Sequence, residues 1–124
     1  MSDPPLYLEA RNGRAEEVQR LLDQGAEVNV RTIEGETPLY GAAWSGHANV
    51  VKLLLDNGAQ LDLRTHRGYT PLYRAAERSK GEVVRILLDR GADVNVQSRY
   101  GETALHEASQ WGLDHVVQML LDAG

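Results

Sequence analysis

The chain has 124 residues, 42% of them apolar and 25% charged, which is typical of one globular unit rather than of a disordered segment. Its formal net charge of −5 argues against a general affinity for phosphate backbones, because nucleic-acid binding depends largely on lysine and arginine. Cysteine is absent, which excludes a disulfide framework, a thiolate metal site and a cysteine nucleophile.

The start of the chain, Met1 to Pro5, lacks the basic and apolar run of a signal peptide. No apolar run approaches the ~20 residues that a membrane-spanning helix needs. We therefore expect a soluble cytoplasmic protein that does not bind a membrane, with the nucleus as an alternative location.

A period of 33 residues organises the whole sequence. A shift of 33 aligns four copies of one motif, Pro4-Pro5-Leu6-Tyr7, Thr37-Pro38-Leu39-Tyr40, Thr70-Pro71-Leu72-Tyr73 and Thr103-Ala104-Leu105-His106. Residues 32–64 and 65–97 are identical at fifteen of 33 positions, whereas average residue usage gives about two by chance. We therefore predict a single domain, 1–124, made of four duplicated repeats at about 1–31, 32–64, 65–97 and 98–124.

The first copy carries charges where later copies are apolar. Glu9 stands in the place of Ala42, and Glu17 stands in the place of Val50. These substitutions make the outer side of the first repeat polar, as a terminal repeat requires.

The second copy shows how each repeat should fold. Thr37 can cap a helix through its hydroxyl, and Pro38 suits the first helical position, so a short helix should run to about Ser45. The apolar segment 50–55 then predicts a second helix that ends before Gly58.

The segments between helix pairs, such as Ala59 to Tyr69, alternate apolar and polar residues around a glycine. This pattern predicts an extended, hairpin-like finger. Two short helices cannot bury all their leucine and valine alone, so neighbouring repeats must cover them. Repeated leucines such as Leu54 and Leu87 are therefore expected to be structural.

The third and fourth copies each depart from the pattern. Ser79 replaces the turn glycine found at Gly46, which should strain or reshape that turn. The fourth copy keeps the internal apolar pattern to Leu121 without a polar substitution like Glu17. This end should therefore expose apolar surface through which the chain can self-associate. The alternative is that the chain is a fragment of a longer array.

The repeated residues resemble the ankyrin repeat, whose signature is Thr-Pro-Leu-His, Ala-Ala, a Gly-His turn, Val-Val and Leu-Leu in a second helix, and a Gly-Ala-x-x-Asn exit. The resemblance covers nearly the whole chain. It implies an all-α solenoid of stacked helix-turn-helix units with hairpin-like finger loops. It also implies an intracellular module that binds a protein partner, with a structural spacer in a longer solenoid as the alternative.

In the ankyrin family, the finger tips and first helices form a concave binding surface, and the copies of this chain differ most there. The resemblance implies that the partner-binding residues are Arg31, Ile33, Glu36, Trp44, Arg64, His66, Arg67, Tyr69, Glu77, Arg78, Arg99, Tyr100, Gln110 and Trp111. We expect the largest contributions from Ile33, Trp44, Tyr69, Tyr100 and Trp111, since such side chains bury large areas at interfaces. The alternative is that the aromatic residues pack against neighbouring fingers.

Arginines recur at the finger tips of this acidic chain. They favour an acidic protein partner through charge-assisted pairs, or else they form a solvated face that balances the acidic helices. Tyr7, Tyr40 and Tyr73 replace the histidine of the family motif, which His106 retains. Because that histidine makes framework hydrogen bonds in the family, we interpret these tyrosines as structural.

No residue pattern indicates catalysis, a metal or a cofactor. The four histidines show no i, i+4 pairing, no phosphate-binding glycine motif is present, and Thr37, Thr70 and Thr103 are explained as helix caps. We therefore predict a protein that is not an enzyme, has no cofactor and does not bind nucleic acid. Asn29 and Asn95 resemble asparagines that are hydroxylated in ankyrin families, although a plain turn asparagine is the simpler interpretation.

Overall fold

The computed structural model describes residues 2–124, which form eight α-helices in four antiparallel pairs and no strand. The helices are α1 (Pro5–Arg11), α2 (Ala15–Asp23), α3 (Pro38–Ser45), α4 (Ala48–Asp56), α5 (Pro71–Glu77), α6 (Gly81–Asp89), α7 (Ala104–Gln110) and α8 (Asp114–Ala123). The first helices of each pair pack side by side, α1 on α3 on α5 on α7, and the second helices form a parallel layer. The predicted all-α stack of helix-turn-helix repeats is thus confirmed.

The helix boundaries follow the local chemistry that the repeat predicts. The Thr37 hydroxyl accepts a hydrogen bond from the backbone N–H of Tyr40 at 3.1 Å, and Thr70 and Thr103 cap α5 and α7 in the same way. Pro38 occupies the first turn, where its missing N–H leaves no donor unpaired. Helix α3 ends at Ser45 as predicted, and Gly46 takes the left-handed conformation, φ +79°, that turns the chain into α4.

The fingers are closed by turns rather than by a strand ladder. In the first finger, the backbone N–H of Thr32 donates to the carbonyl of Glu36, and that of Gly35 donates to the carbonyl of Thr32, both at 2.9 Å. Adjacent fingers are joined by one backbone bond, from His66 N–H to the Glu34 carbonyl at 3.0 Å. The next pair of fingers repeats this bond 33 residues further along the chain. The fingers therefore form a continuous row beside the first helices.

The core is a single apolar seam that runs through all four repeats. Leu54, Leu87, Val51 and Val84 are fully buried, and each has counterparts at the same position in the other repeats. Because every helix pair buries its leucines partly against a neighbour, the stability of each repeat depends on the repeats beside it.

Ser79 departs from the backbone conformations that L-residues favour. Its φ is +58°, and among residues 2–124 it is the one non-glycine residue with positive φ. The neighbouring copies place glycine at this turn, as at Gly46 and Gly112. Of the two outcomes that the sequence predicted, a strained turn or a reshaped one, the structure thus keeps the backbone of the glycine turn, which L-residues adopt at a cost.

Truncation of Leu87 to alanine should lower the free energy of unfolding by about 2–5 kcal/mol, because the fully buried site cannot collapse around the cavity. Urea denaturation followed by circular dichroism measures this loss. Leu121→Ala is the matched control, since this leucine is 55% exposed and its truncation should cost far less. Equal losses for the two variants would contradict the described seam.

Replacement of Ser79 by glycine should raise the free energy of unfolding by about 1 kcal/mol, since glycine adopts the left-handed conformation without strain. Ser109, an exposed helical position in α7, provides the control. Ser109→Gly should instead lower stability by about 0.5 kcal/mol. If both substitutions destabilise the protein equally in thermal melts, the turn at Ser79 carries no strain.

Candidate partner-binding surface

The predicted partner-binding residues lie along the finger row and the first helices. Most of their side chains are exposed, and only Glu36, Trp44, Tyr69 and Glu77 are half-buried. The three largest exposed apolar side chains of the set are Ile33, Tyr100 and Trp111, which are 74%, 65% and 63% exposed. The structure thus divides the predicted set into an open group and a packed group.

Three residues of the packed group, Glu36, Trp44 and Tyr69, line a pocket of about 270 Å³ between the first two fingers and helices α3 and α5. Its walls are Glu34, Glu36, Tyr40, Trp44, Thr65, Arg67, Tyr69 and Arg74. Four of these residues, Glu36, Trp44, Arg67 and Tyr69, belong to the predicted set. The pocket therefore lies within the predicted surface.

Arg74 is the centre of this cluster. Its guanidinium carbon lies 5.0 Å from the ring centroid of Tyr69 and 5.3 Å from that of Trp44, distances at which cation–π attraction is significant. Its Nε donates to the Tyr40 hydroxyl at 2.7 Å, and its Nη1 forms an ion pair with Glu77. Burial disfavours the charge, but the interaction with Tyr40 and the hydrogen bond to Glu77 outweigh it and raise the pKa of Arg74.

Sequence reasoning missed Arg74, although the repeat contained a signal for it. Its counterparts in the other copies are Leu8, Gly41 and Glu107, so this first-helix position varies as much as the finger tips do. Gly41 leaves room for the ring of Tyr7, because a Cβ atom there would lie 3.0 Å from Tyr7 Cε1. The residue type at this position therefore varies with the side chains of the neighbouring repeat that it has to contact.

The tyrosines of the repeated motif connect adjacent repeats. Tyr7 donates its hydroxyl proton to the Glu36 carboxylate, and Tyr73 donates to Glu107 Oε2 at 2.9 Å. Tyr40 instead accepts the bond from Arg74. All three rings are buried. These contacts are what the predicted framework role of the tyrosines requires.

Glu107 holds a second aromatic side chain in place. Its Oε1 accepts a hydrogen bond from the indole Nε1 of Trp111 at 2.7 Å, while its other oxygen bonds Tyr73. The carboxylate is buried, and these two donors compensate it. The Trp111 ring is thus anchored at its polar edge and remains mostly exposed. The sequence did not predict this contact with Glu107.

Two of the predicted aromatic residues are packed against neighbours. The rings of Tyr69 and Tyr73 are stacked with centroids 4.5 Å apart, and the Trp44 ring meets the edge of Tyr40 at 6.4 Å. The alternative interpretation, packing within the protein, therefore applies in part to Tyr69 and Trp44. Tyr100 lies 6.5 Å from Tyr69 and extends the cluster toward solvent.

The finger arginines mostly reach the neighbouring finger. Arg31 Nη1 donates to the Arg64 carbonyl at 3.3 Å, Arg64 Nη2 donates to the Gln97 carbonyl at 2.7 Å, and Arg99 Nη1 donates to the His66 carbonyl at 2.9 Å. Each guanidinium keeps further donors that face solvent. By contrast, the side chains of Arg67 and Arg78 form no hydrogen bond or ion pair within residues 2–124, and the Arg78 guanidinium carbon lies 5.9 Å from the ring centroid of Trp44.

Both asparagines that resemble hydroxylation sites, Asn29 and Asn95, make hydrogen bonds in the structure. Asn29 Oδ1 accepts a hydrogen bond from the backbone N–H of Gln60 at 3.0 Å, which joins the exits of the first two repeats. Asn95 is exposed, and its own N–H bonds Asp93 Oδ1 at 2.8 Å. Hydroxylation of either residue stays a prediction.

Comparison with known proteins identifies the family. A family model described as ankyrin repeats (3 copies) matches residues 2–65 and, in a second match, residues 58–124. The chain therefore belongs to the ankyrin repeat family, whose members are generally protein-interaction modules. The search of curated proteins gave no match. Within residues 2–124, no helix combines the length and apolar character needed to cross a bilayer.

Alkaline pH should destabilise the fold through the motif tyrosines. Burial, reinforced by the neighbouring carboxylates, raises the pKa of Tyr7 and Tyr73 above the ordinary value of 10.0. Above pH 10 the unfolded chain therefore releases these protons before the folded chain does. The stabilisation is complete below pH 10 and falls as pH rises toward the folded pKa, by about 1.4 kcal/mol per pH unit for each tyrosine.

Urea denaturation at pH 8, 10 and 11 measures this dependence. Tyr73→Phe should lower stability at pH 8 by about 1 kcal/mol, because Glu107 loses a donor, and should make the alkaline loss less steep. A wild-type stability that is constant to pH 11 would contradict the assignment.

Proposed function

We propose that this chain binds a protein partner on its concave finger and first-helix surface and catalyses no reaction. One observation carries the proposal. Four large apolar side chains within residues 2–124 are mostly exposed, and three of them, Ile33, Tyr100 and Trp111, lie on this surface. Aromatic side chains of this kind bury large areas and still offer a polar contact, as hot-spot residues do.

The cluster behind these side chains supports the same proposal. Trp44 and Tyr69 are held by Arg74, and Trp111 is held by Glu107, so these rings are already oriented before a partner arrives. Ordering side chains on binding costs conformational entropy, and a surface that is ordered beforehand avoids part of that cost. The half-buried residues thus contribute by positioning, and the exposed residues contribute the contact.

We further propose that the contacted segment of the partner is acidic. Arg67 and Arg78 carry charges without a carboxylate partner in the described chain. Arg31, Arg64 and Arg99 are also exposed, and their side chains bond only backbone carbonyl oxygens. A carboxylate that meets such donors forms charge-assisted hydrogen bonds, which also accelerate association.

The proposal that the chain is not an enzyme rests on the use of its hydroxyls. The repeated threonines accept backbone hydrogen bonds at the starts of α3, α5 and α7, so these oxygens serve as helix caps. The net charge of −5 likewise supports a protein rather than a nucleic acid as the partner.

A structural role in a longer solenoid is the second candidate function. The observation that favours it is the fourth mostly exposed apolar side chain, Leu121, which lies at the end of the stack rather than on the finger surface. A chain that mainly spaces or joins other domains would use this end surface.

Simultaneous replacement of Ile33, Tyr100 and Trp111 by alanine should abolish capture of the partner. The variant should stay folded and lose only about 1 kcal/mol of stability, because Glu107 loses the Trp111 donor while the three side chains are mostly exposed. Affinity purification from cell extract, with bound proteins identified by mass spectrometry, measures capture. In the matched control variant, alanine replaces Lys52, Arg85 and Gln118 instead. These three exposed residues occupy equivalent positions on the second helices of successive repeats.

The wild type and the control variant should capture the same protein, and capture should weaken as salt is raised if the contacted segment is acidic. Retention of that protein by the Ile33, Tyr100 and Trp111 variant would refute the assigned surface. Equal capture at low and high salt would refute the acidic partner alone.

A further inference from the structure

Arg74 keeps one nitrogen of its guanidinium group unpaired. Its Nε donates to the Tyr40 hydroxyl at 2.7 Å, and its Nη1 pairs with Glu77. Within residues 2–124 the Nη2 atom has no hydrogen-bond partner, and no unpaired side-chain nitrogen or oxygen of the half-buried or buried residues is fully enclosed. The Nη2 donors are therefore accessible, although the Arg74 side chain as a whole is only 19% exposed.

Four aromatic rings hold this guanidinium in place. Its central carbon lies between 5.0 and 6.0 Å from the ring centroids of Tyr40, Trp44, Tyr69 and Tyr73. Aromatic faces arranged in this way attract a cation, and here the chain itself supplies the cation. A second cation would meet a positive charge among these rings. The group that Arg74 can still attract is an anion.

The pocket of about 270 Å³ gives access to this guanidinium. Arg74 on α5 and Arg67 on the second finger both line it. Arg67 is exposed, and its side chain forms no hydrogen bond or ion pair within residues 2–124, so its charge is not compensated. The first finger supplies Glu34 and Glu36 to the same pocket. The pocket thus has donors on the side of the second finger and acceptors on the side of the first.

The state of these charges favours an anion at Arg74 over a cation at the glutamates. Glu34 is exposed, so water screens its charge, and Glu36 already accepts the hydroxyl proton of Tyr7. The guanidinium of Arg74 is mostly enclosed and already oriented, so a carboxylate can bond it without the cost of ordering it first. A planar guanidinium also matches the geometry of the two carboxylate oxygens.

We propose that this pocket is a carboxylate-binding site, in which Arg74 and Arg67 hold one acidic side chain of the partner. The methylene groups of that side chain lie against the rings of Trp44 and Tyr69, which line the same pocket. This inference rests on the proposed function, because it names the residue type that the partner places at one point of the surface. Arg74 is then a residue that determines specificity as well as one that orients the aromatic side chains.

The test uses a small probe and the isotope-labelled full chain. The probe is glutamate with an acetylated amino group and an amidated α-carboxyl group, so that the side chain carries its only charge. In a nuclear magnetic resonance titration, the signals of Arg74 Nε–H and of the Trp44 indole should shift, with a dissociation constant of about 1–10 mM. The glutamine analogue, capped in the same way, should cause no comparable shift. Equal shifts with both probes would overturn the proposal.

Two further probes distinguish other ligands of the same pocket. Acetylated alanine with a free α-carboxylate represents a chain end, and methylammonium represents a basic side chain. Both should bind more weakly than the capped glutamate. Tighter binding of the chain-end probe would overturn the assignment to a side chain. Tighter binding of methylammonium would show that the glutamates, rather than Arg74, select the ligand.

Single substitutions that each remove one charge locate the site. Arg74→Gln should weaken binding of the capped glutamate about tenfold, because a charge-assisted hydrogen bond is lost. Arg85→Gln, on the exposed side of α6, is the matched control and should leave the affinity unchanged. Equal affinities of these two variants, both folded by circular dichroism, would contradict the site.

Arg67 and Glu34 provide variants that do not depend on the packed cluster, since both side chains are exposed. Arg67→Gln should weaken binding of the probe, and this variant replaces Arg74→Gln if the latter does not fold. Glu34→Gln should strengthen binding about twofold, because a like charge is removed from the pocket. Weaker binding by Glu34→Gln would contradict the assigned position. These titrations need no partner, so their failure overturns the carboxylate site while the partner-binding surface keeps its own test by affinity purification.

Discussion

The fold depends on the burial of leucine and valine between neighbouring helix pairs. A helix of seven to ten residues is too short to be stable in water on its own, and one pair buries too little apolar area to offset the entropy of ordering it. Leu54 and Leu87 reach full burial because the preceding repeat packs on them, whereas Leu21, at the same position of the first repeat, is only partly buried. Every other feature of the molecule is positioned by this seam.

Polar contacts across the repeat boundaries fix the alignment that the apolar seam leaves loosely defined. The bond from Tyr7 to Glu36 and that from Tyr73 to Glu107 each join one repeat to the next. The backbone bond from His66 to Glu34 does the same for the fingers. Hydrogen bonds are directional, whereas apolar contact is not, so these bonds determine how one repeat sits on another.

The same alignment explains why the candidate binding surface contains both packed and open side chains. Arg74 lies where the first helix of repeat three meets the aromatic residues of repeat two, and it holds Trp44 and Tyr69 together. Tyr100 and Trp111 are covered less by neighbouring side chains, and they remain mostly exposed. The neighbours of an aromatic side chain in the stack, rather than its residue type, therefore decide whether it is packed within the protein or left open to contact a partner.

The sequence alone determined the repeat, the helix boundaries and the buried leucines, because these depend on contacts within a few residues and on a period of 33. The capping threonine at 37, the turn at Gly46 and the strain at Ser79 are local in this sense. The sequence also indicated the region of the binding surface, through resemblance and through variation between copies.

Only the tertiary structure decided how individual side chains in that region are used. Whether an arginine pairs with a neighbouring carbonyl, as Arg64 does, or stays unpaired, as Arg67 does, depends on residues about 33 positions away. The role of Arg74 became visible for the same reason, since its aromatic neighbours come from two repeats, Tyr40 and Trp44 from the second and Tyr69 and Tyr73 from the third. Such contacts depend on how the repeats stack in three dimensions, which the spacing of residues along the chain does not specify.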